Sequence, residues 1–273
     1  MGFVEKLNGA IDQQDSLLCV GLDPDPAKLP ECVRGKDNPV LYFVQQIVDA
    51  TADLVCAFKP NFAFYGALGA DAWPTLKALL EHIPPTIPVI LDAKVGDIGS
   101  TAERYAQMFF GELAADALTV NPYMGRDAVE PFLAYGDKGI FLLCLTSNPG
   151  ADDFEKQQLA DGPLYRRVAV KVGQWNSAGN CGLVVGGTQT EEIAQIRALA
   201  PEMPFLMPGI GAQGGDVEAA VSSGQDQSGR GLVINTSRAV LYASSGDDFA
   251  SAARSAAEDL RDQINRYRQP VTV

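Results

Sequence analysis

Apolar residues gather in short unbroken runs that recur along the whole chain. They are LLCVGL (17–22), LVCAFK (54–59), PVILDAK (88–94), ALTVN (117–121), GIFLLCLT (139–146), GLVVGG (182–187), PFLMPG (204–209) and GLVIN (231–235). Each is too short for a helix, is rich in Val, Ile and Leu, and does not alternate with polar residues. Such runs predict strands buried on both faces of a parallel sheet. Between them, FVQQIVDATADL, PTLKALLEHI, AERYAQMFFGEL, LYRRVAVKVGQW, TEEIAQIRALA and DVEAAVSS place apolar residues three and four apart, the helical spacing. Thr188 or Thr190 before Glu191, and Asp216 after two glycines, mark helix starts.

The two ends of the chain are also helical in pattern. Phe3, Leu7 and Ile11 form one stripe, and acids among them argue against a signal peptide. Near the other end, Phe249, Ala253, Ala256, Leu260, Ile264 and Tyr267 form a second stripe, which predicts a closing helix. Eight strand–helix units in 273 residues match a (β/α)8 TIM barrel, typically about 250 residues long, as a single domain over 1–273. An open doubly wound sheet is the alternative. It calls for a glycine-rich turn after the first strand, whereas GLDPDP stands there.

Composition narrows the function. With 47% hydrophobic and 20% charged residues the chain reads as globular. A net charge of −13 disfavours nucleic acid or an anionic membrane as partner, since both need basic surface, and leaves only a local positive site for an anionic small molecule. No apolar run reaches the ~20 residues of a membrane span. Five cysteines, four of them in apolar runs and none in a CxxC pair, suit buried free thiols in a reducing cytoplasm. The one histidine, His82, lies at a helix end with no second histidine, so neither zinc nor a Ser–His–Asp triad is expected.

In a barrel, chemistry collects at the C-terminal strand ends. Those ends carry Asp23, Lys59, Asp92 and Lys94, Asn121, Thr146 and Ser147, the run PGIGAQGG, and NTSR with Arg238. Asp92 and Lys94 are two apart, so an extended strand points both to one side, with Lys59 on the neighbouring strand. Buried charges must pair, and the set predicts an alternating array; the plainer alternatives are a salt bridge that only sets register, or charges fraying into solvent. The glycines of PGIGAQGG, and a helix start at Thr236 or Ser237 beside Arg238, suit a phosphate cradle. Tight turns and a surface arginine are the alternative there.

At this point a resemblance is visible. LDAKVGDIGST resembles the D-x-K-x-x-D-I-x-x-T signature of the orotidine 5′-phosphate decarboxylase family, in its longer bacterial form. VGLDPD, FKPNFAFYGALG, LTSNPGA and PGIGAQGGD are similar to further motifs of that family, in order from about Leu17 to Tyr242. The resemblance implies cofactor-free decarboxylation of orotidine 5′-phosphate to UMP, without metal. Lys59, Asp92, Lys94 and Asp97 would form a charged tetrad, with Lys94 protonating C6 and Asp92 beside the substrate carboxylate. Lys59 and Asp23 would bind the ribose, Ser147 the pyrimidine, and Gln213 and Arg238 the phosphate. Asp97 and Thr101 would enter the partner's site of a homodimer, with the backbone turning at Gly96 to send them there. Rival readings are a metal-dependent sugar-phosphate decarboxylase or epimerase, a Schiff-base aldolase, and an inactive nucleotide-binding module.

Overall fold

Each of the eight apolar runs forms a strand of one parallel sheet. In chain order these are β1 (Leu18–Leu22), β2 (Ala57–Pro60), β3 (Ile90–Val95), β4 (Ala117–Val120), β5 (Gly139–Leu145), β6 (Cys181–Val185), β7 (Phe205–Pro208) and β8 (Leu232–Thr236). The computed structural model describes residues 1–188, 190–210 and 216–269. The sheet order is β2-β1-β8-β7-β6-β5-β4-β3. Parallel bridges Phe58↔Val89 and Asn61↔Asp92 join its two edges and close the (β/α)8 barrel. Closure removes the exposed sheet edge, and it does so one bridge away from the polar strand ends.

The helices follow from their apolar stripes. They are α1 (Phe3–Gln14), α2 (Pro39–Thr51), α3 (Phe62–Gly66), α4 (Ala72–His82), α5 (Gly99–Ala106), α6 (Arg126–Leu133), α7 (Leu164–Trp175), α8 (Thr190–Leu199), α9 (Val217–Gly224), α10 (Arg238–Leu241) and α11 (Phe249–Asn265). Phe3, Leu7 and Ile11 of α1 are buried, and Phe3 sets its ring edge-on to Phe141 at 5.7 Å. A Cβ on Gly139 would lie 2.3 Å from that ring, so only glycine lets α1 seat beneath the start of β5. Phe249, Ala253 and Ile264 bury the closing helix α11 as expected, joined by Ala257, while Ala256, Leu260 and Tyr267 are partly buried against the core.

Two local features differ from the sequence reading. Helix α6 was not legible, because Pro131 sits inside it and removes one backbone donor. Ser237 occupies the position before α10, but its hydroxyl does not cap that helix. Strand β3 ends at Val95, so the chain leaves the strand at Gly96, with positive φ angles to either side at Lys94 (+47°) and Gly99 (+53°). Asp216 does cap α9, its carboxylate accepting from the Ala219 N–H at 3.2 Å. The thiols of Cys19, Cys56, Cys144 and Cys181 are buried and free, and burial pushes those of Cys56 and Cys181 up to about 12. His82 pairs with Asp49 at 2.7 Å on the outside of the barrel. Among the described residues, no helix is long and apolar enough to cross a membrane.

Candidate active site

Lys59 reaches the barrel mouth because it stands one residue from the end of β2, in register with Gly21 of β1. Asp92 and Lys94 come from β3, the strand next to β2 across the closure. Lys59 Nζ donates to Asp92 Oδ2 at 2.9 Å, and Lys94 Nζ donates to Asp92 Oδ1. The alternating array predicted from spacing is therefore present as Lys59–Asp92–Lys94. Its burial is uneven: the side chains of Lys59 and Asp92 are 4% and 8% exposed, that of Lys94 43%. The inner pair is structural as well as electrostatic, while the Lys94 side chain is exposed and does not line the cavity beside the array.

Two further groups complete the carboxylate. Thr119 Oγ1 donates to Asp92 Oδ1 at 2.9 Å, and Asn61 Nδ2 donates to Asp92 Oδ2 at 3.3 Å. An ionised carboxylate offers about four lone-pair sites, and here each oxygen receives two donors. A protonated Asp92 would aim its own O–H at a group that is already donating. Burial alone would push the Asp92 carboxyl up, but Lys59, Lys94 and their hydrogen bonds outweigh it and hold it well below the usual carboxylate range. Burial likewise opposes the charge on Lys59; Asp23 and Asp92 overcome it and raise its pKa.

A folded pKa below the unfolded value of about 3.9 stabilises the fold above that value. The contribution is lost as pH falls towards and through the folded pKa. Asp92→Asn should therefore lose less thermal stability than the wild type between about pH 6 and about pH 3. Equal losses in the melting curves of the two chains would contradict this.

A cavity of about 470 Å³ opens beside the array, lined by Asp23, Lys59, Asn61, Asp92, Ser237 and Arg238 among others. Asp23 is held at both oxygens: the Asn61 N–H donates to Oδ1 at 3.1 Å and Ser237 Oγ donates to Oδ2 at 2.7 Å. Gly21 makes room for this, since a Cβ there would lie 1.9 Å from Ser237 Oγ. Arg238 is exposed on the cavity wall at the start of α10. Ser147 is half-buried just past the end of β5, where its backbone packs over Gly186. Gln213, the other expected phosphate ligand, lies outside the described residues, as do the glycines at 211, 214 and 215.

Asp97 and Thr101 do not join the array within this chain. Asp97 Oδ1 accepts from the Ile98 N–H at 2.8 Å, and Thr101 is exposed on the first turn of α5. Asn61 and Thr119 carried no role in the sequence reading, and Ser237 was expected only as a helix cap. A signal existed for the first two. Asn61 lies two residues after Lys59, on the same strand face, and Thr119 is the one polar side chain within the buried strand ALTV.

Similarity to known proteins agrees over nearly the whole chain. The sequence model of the orotidine 5′-phosphate decarboxylase / HUMPS family matches residues 16–254. The chain is 57% identical over 272 residues to orotidine 5′-phosphate decarboxylase of Azoarcus sp. (strain BH72), covering 98% of this chain and 100% of that one. It is 55% identical over 272 residues to the protein of that name from Dechloromonas aromatica (strain RCB), with the same coverage. Among solved structures, Leishmania donovani OMP decarboxylase superposes with a TM-score of 0.87 at 39% identity, over 98% of this chain and 99% of that one.

Proposed function

The chain belongs to the orotidine 5′-phosphate decarboxylase / HUMPS family, and from that premise we propose that it converts orotidine 5′-phosphate to UMP and carbon dioxide, in pyrimidine biosynthesis, with Lys94 as the proton donor. The observation that carries the role of Lys94 is the fourfold-donated Asp92 carboxylate. Asp92 has no proton to give and no free site to take one. Of the two lysines on it, only Lys94 has a substantially exposed side chain, 43% against 4% for Lys59.

The chemistry suits this arrangement. When the C6–carboxylate bond breaks, its electron pair stays on C6 in the plane of the ring, where no adjacent carbonyl delocalises it. A fixed ammonium at C6 stabilises that charge as it develops. The Lys94 proton then passes to C6, and the neutral amine regains a proton from solvent. Asp92 would lie beside the departing carboxylate, and Lys59 would hold Asp92 and reach a ribose hydroxyl. Asp23, clamped by Asn61 and Ser237, would accept from the ribose. Ser147 would meet the pyrimidine, while Arg238 and Gln213 would bind the phosphate, remote binding that can order the site around C6. No step requires a metal or cofactor.

We also read the functional unit as a homodimer with shared sites, in which Asp97 and Thr101 serve the partner's pocket. What supports this is a strip of exposed apolar side chains next to them. Ile98 is 57% exposed, Tyr123 76% and Phe154 62%. Met124 lies against Gly96, and the Tyr123 ring touches that of Phe154 at 6.3 Å. Large apolar groups clustered in this way mark an interaction surface. Buried free thiols suit a cytoplasmic setting.

The test of the reaction is direct. The protein should consume orotidine 5′-phosphate in an absorbance assay, yield UMP, and keep its full rate in excess EDTA. No turnover would overturn the proposal, and loss of rate in EDTA would favour the metal-dependent sugar-phosphate chemistry of the same barrel.

A further inference from the structure

The register of β3 against β4 breaks at the reactive pair. Leu91 lies opposite Leu118 and Val95 opposite Val120, so Asp92, Ala93 and Lys94 together face Thr119 alone. Such a bulge costs the strand its ladder acceptors, and the N–H groups of Ala93 and Lys94 need others. Both donate to Thr119 Oγ1, at 3.0 and 2.9 Å. A hydroxyl has two acceptor sites and one proton. With both acceptor sites taken by N–H groups, its own proton has one destination, Asp92 Oδ1 at 2.9 Å.

That single oxygen therefore ties backbone to side chain. It supports the left-handed conformation of Lys94 (φ +47°), which a lysine rarely adopts and which costs of order 1–3 kcal/mol. It also fixes the carboxylate on which the Lys94 ammonium rests. Thr119 is itself fully buried and lies in register with Phe141 of β5, so it is anchored by a regular part of the sheet. Extended alternation would have set Asp92 and Lys94 side by side with no such support; the bulge aims Lys94, and the hydroxyl holds the bulge.

We infer that Thr119 is a positioning residue for the decarboxylation, setting the Asp92–Lys94 pair through its hydroxyl. This rests on the proposed role of Lys94. A misplacement of about 1 Å at a reacting group costs on the order of 10²-fold in rate, so removing the hydroxyl should lower kcat by about that factor. KM should change little, because Thr119 touches neither ribose nor phosphate ligands.

Thr119→Ser and Thr119→Ala lack the same methyl and differ only in the hydroxyl, so a packing defect affects both alike. With orotidine 5′-phosphate as substrate, Thr119→Ser should keep a kcat within a few-fold of wild type while Thr119→Ala loses about 10²-fold at similar KM. Equal kcat values for the two variants, or a loss confined to KM, would overturn the inference. Lys94→Ala separates this from the reading beneath it. If Lys94→Ala is inactive and the Ser and Ala variants match, Thr119 alone was misread. If Lys94→Ala turns over like wild type, the role of Lys94 fails, and with it what Thr119 was inferred to position.

Discussion

Lys94→Ala should lower kcat for orotidine 5′-phosphate by about 10⁴-fold or more while leaving a folded protein. A positioned general acid contributes typically about 10²–10⁴-fold, and a preorganised charge at the developing carbanion a further 10²–10³-fold or so. Lys94 is proposed to supply both. The fold should tolerate the loss because the Lys94 side chain is 43% exposed and Asp92 keeps Lys59, Asn61 and Thr119.

Lys59→Ala offers the contrast. Lys59 is 4% exposed, and removing one member of a buried ion pair costs roughly 3–5 kcal/mol. Thermal melts should thus separate the two variants, with Lys59→Ala much the less stable. A further variant, Lys94→Gly, relieves the left-handed backbone and should melt no lower than Lys94→Ala, by up to about 1 kcal/mol of added stability. Retained turnover by Lys94→Ala would remove the proton donor from the proposed mechanism.

The fold was legible because burial on both faces leaves a simple trace: eight runs of aliphatic residues, each found as a strand within a few residues of its expected bounds. Helix α6 escaped, since a proline in its interior erases the pattern that defines a helix. At the site, charge was legible and support was not. Lys59, Asp92 and Lys94 were conspicuous as charges at the ends of apolar strands. Thr119 was not, because a threonine in a strand is ordinary and its importance depends on a bulge in the adjacent strand. The spacing of Asp92 and Lys94 led to their proximity by an argument from extended geometry, whereas the chain achieves it with a left-handed residue. Ser237 shows the same limit. Its place before α10 pointed to a helix cap, but the bare Gly21 opposite draws its hydroxyl to Asp23 instead.

Mixing two inactive chains should restore activity. Asp97 makes no hydrogen bond or ion pair with the Lys59–Asp92–Lys94 array in its own chain, its carboxylate instead accepting from Ile98 N–H at 2.8 Å. It stands next to the exposed apolar strip of Ile98, Tyr123 and Phe154. In a two-fold dimer that buries this strip, each site would take Lys94 from one chain and Asp97 from the other. Lys94→Ala and Asp97→Ala homodimers would then each carry two defective sites. Their heterodimer would carry one doubly defective site and one intact site. With random pairing of equal amounts, about half of the dimers are mixed, so about a quarter of all sites should work. The measurement is kcat per chain after co-expression or joint refolding, set against each variant alone. If Asp97 served its own chain, the mixture would show only the average of the two variants, because no pairing would unite an intact Lys94 with an intact Asp97. Tyr123→Arg, placed in the middle of the strip, should lower activity on dilution by separating the chains; a wild-type rate from a demonstrated monomer would exclude the shared site.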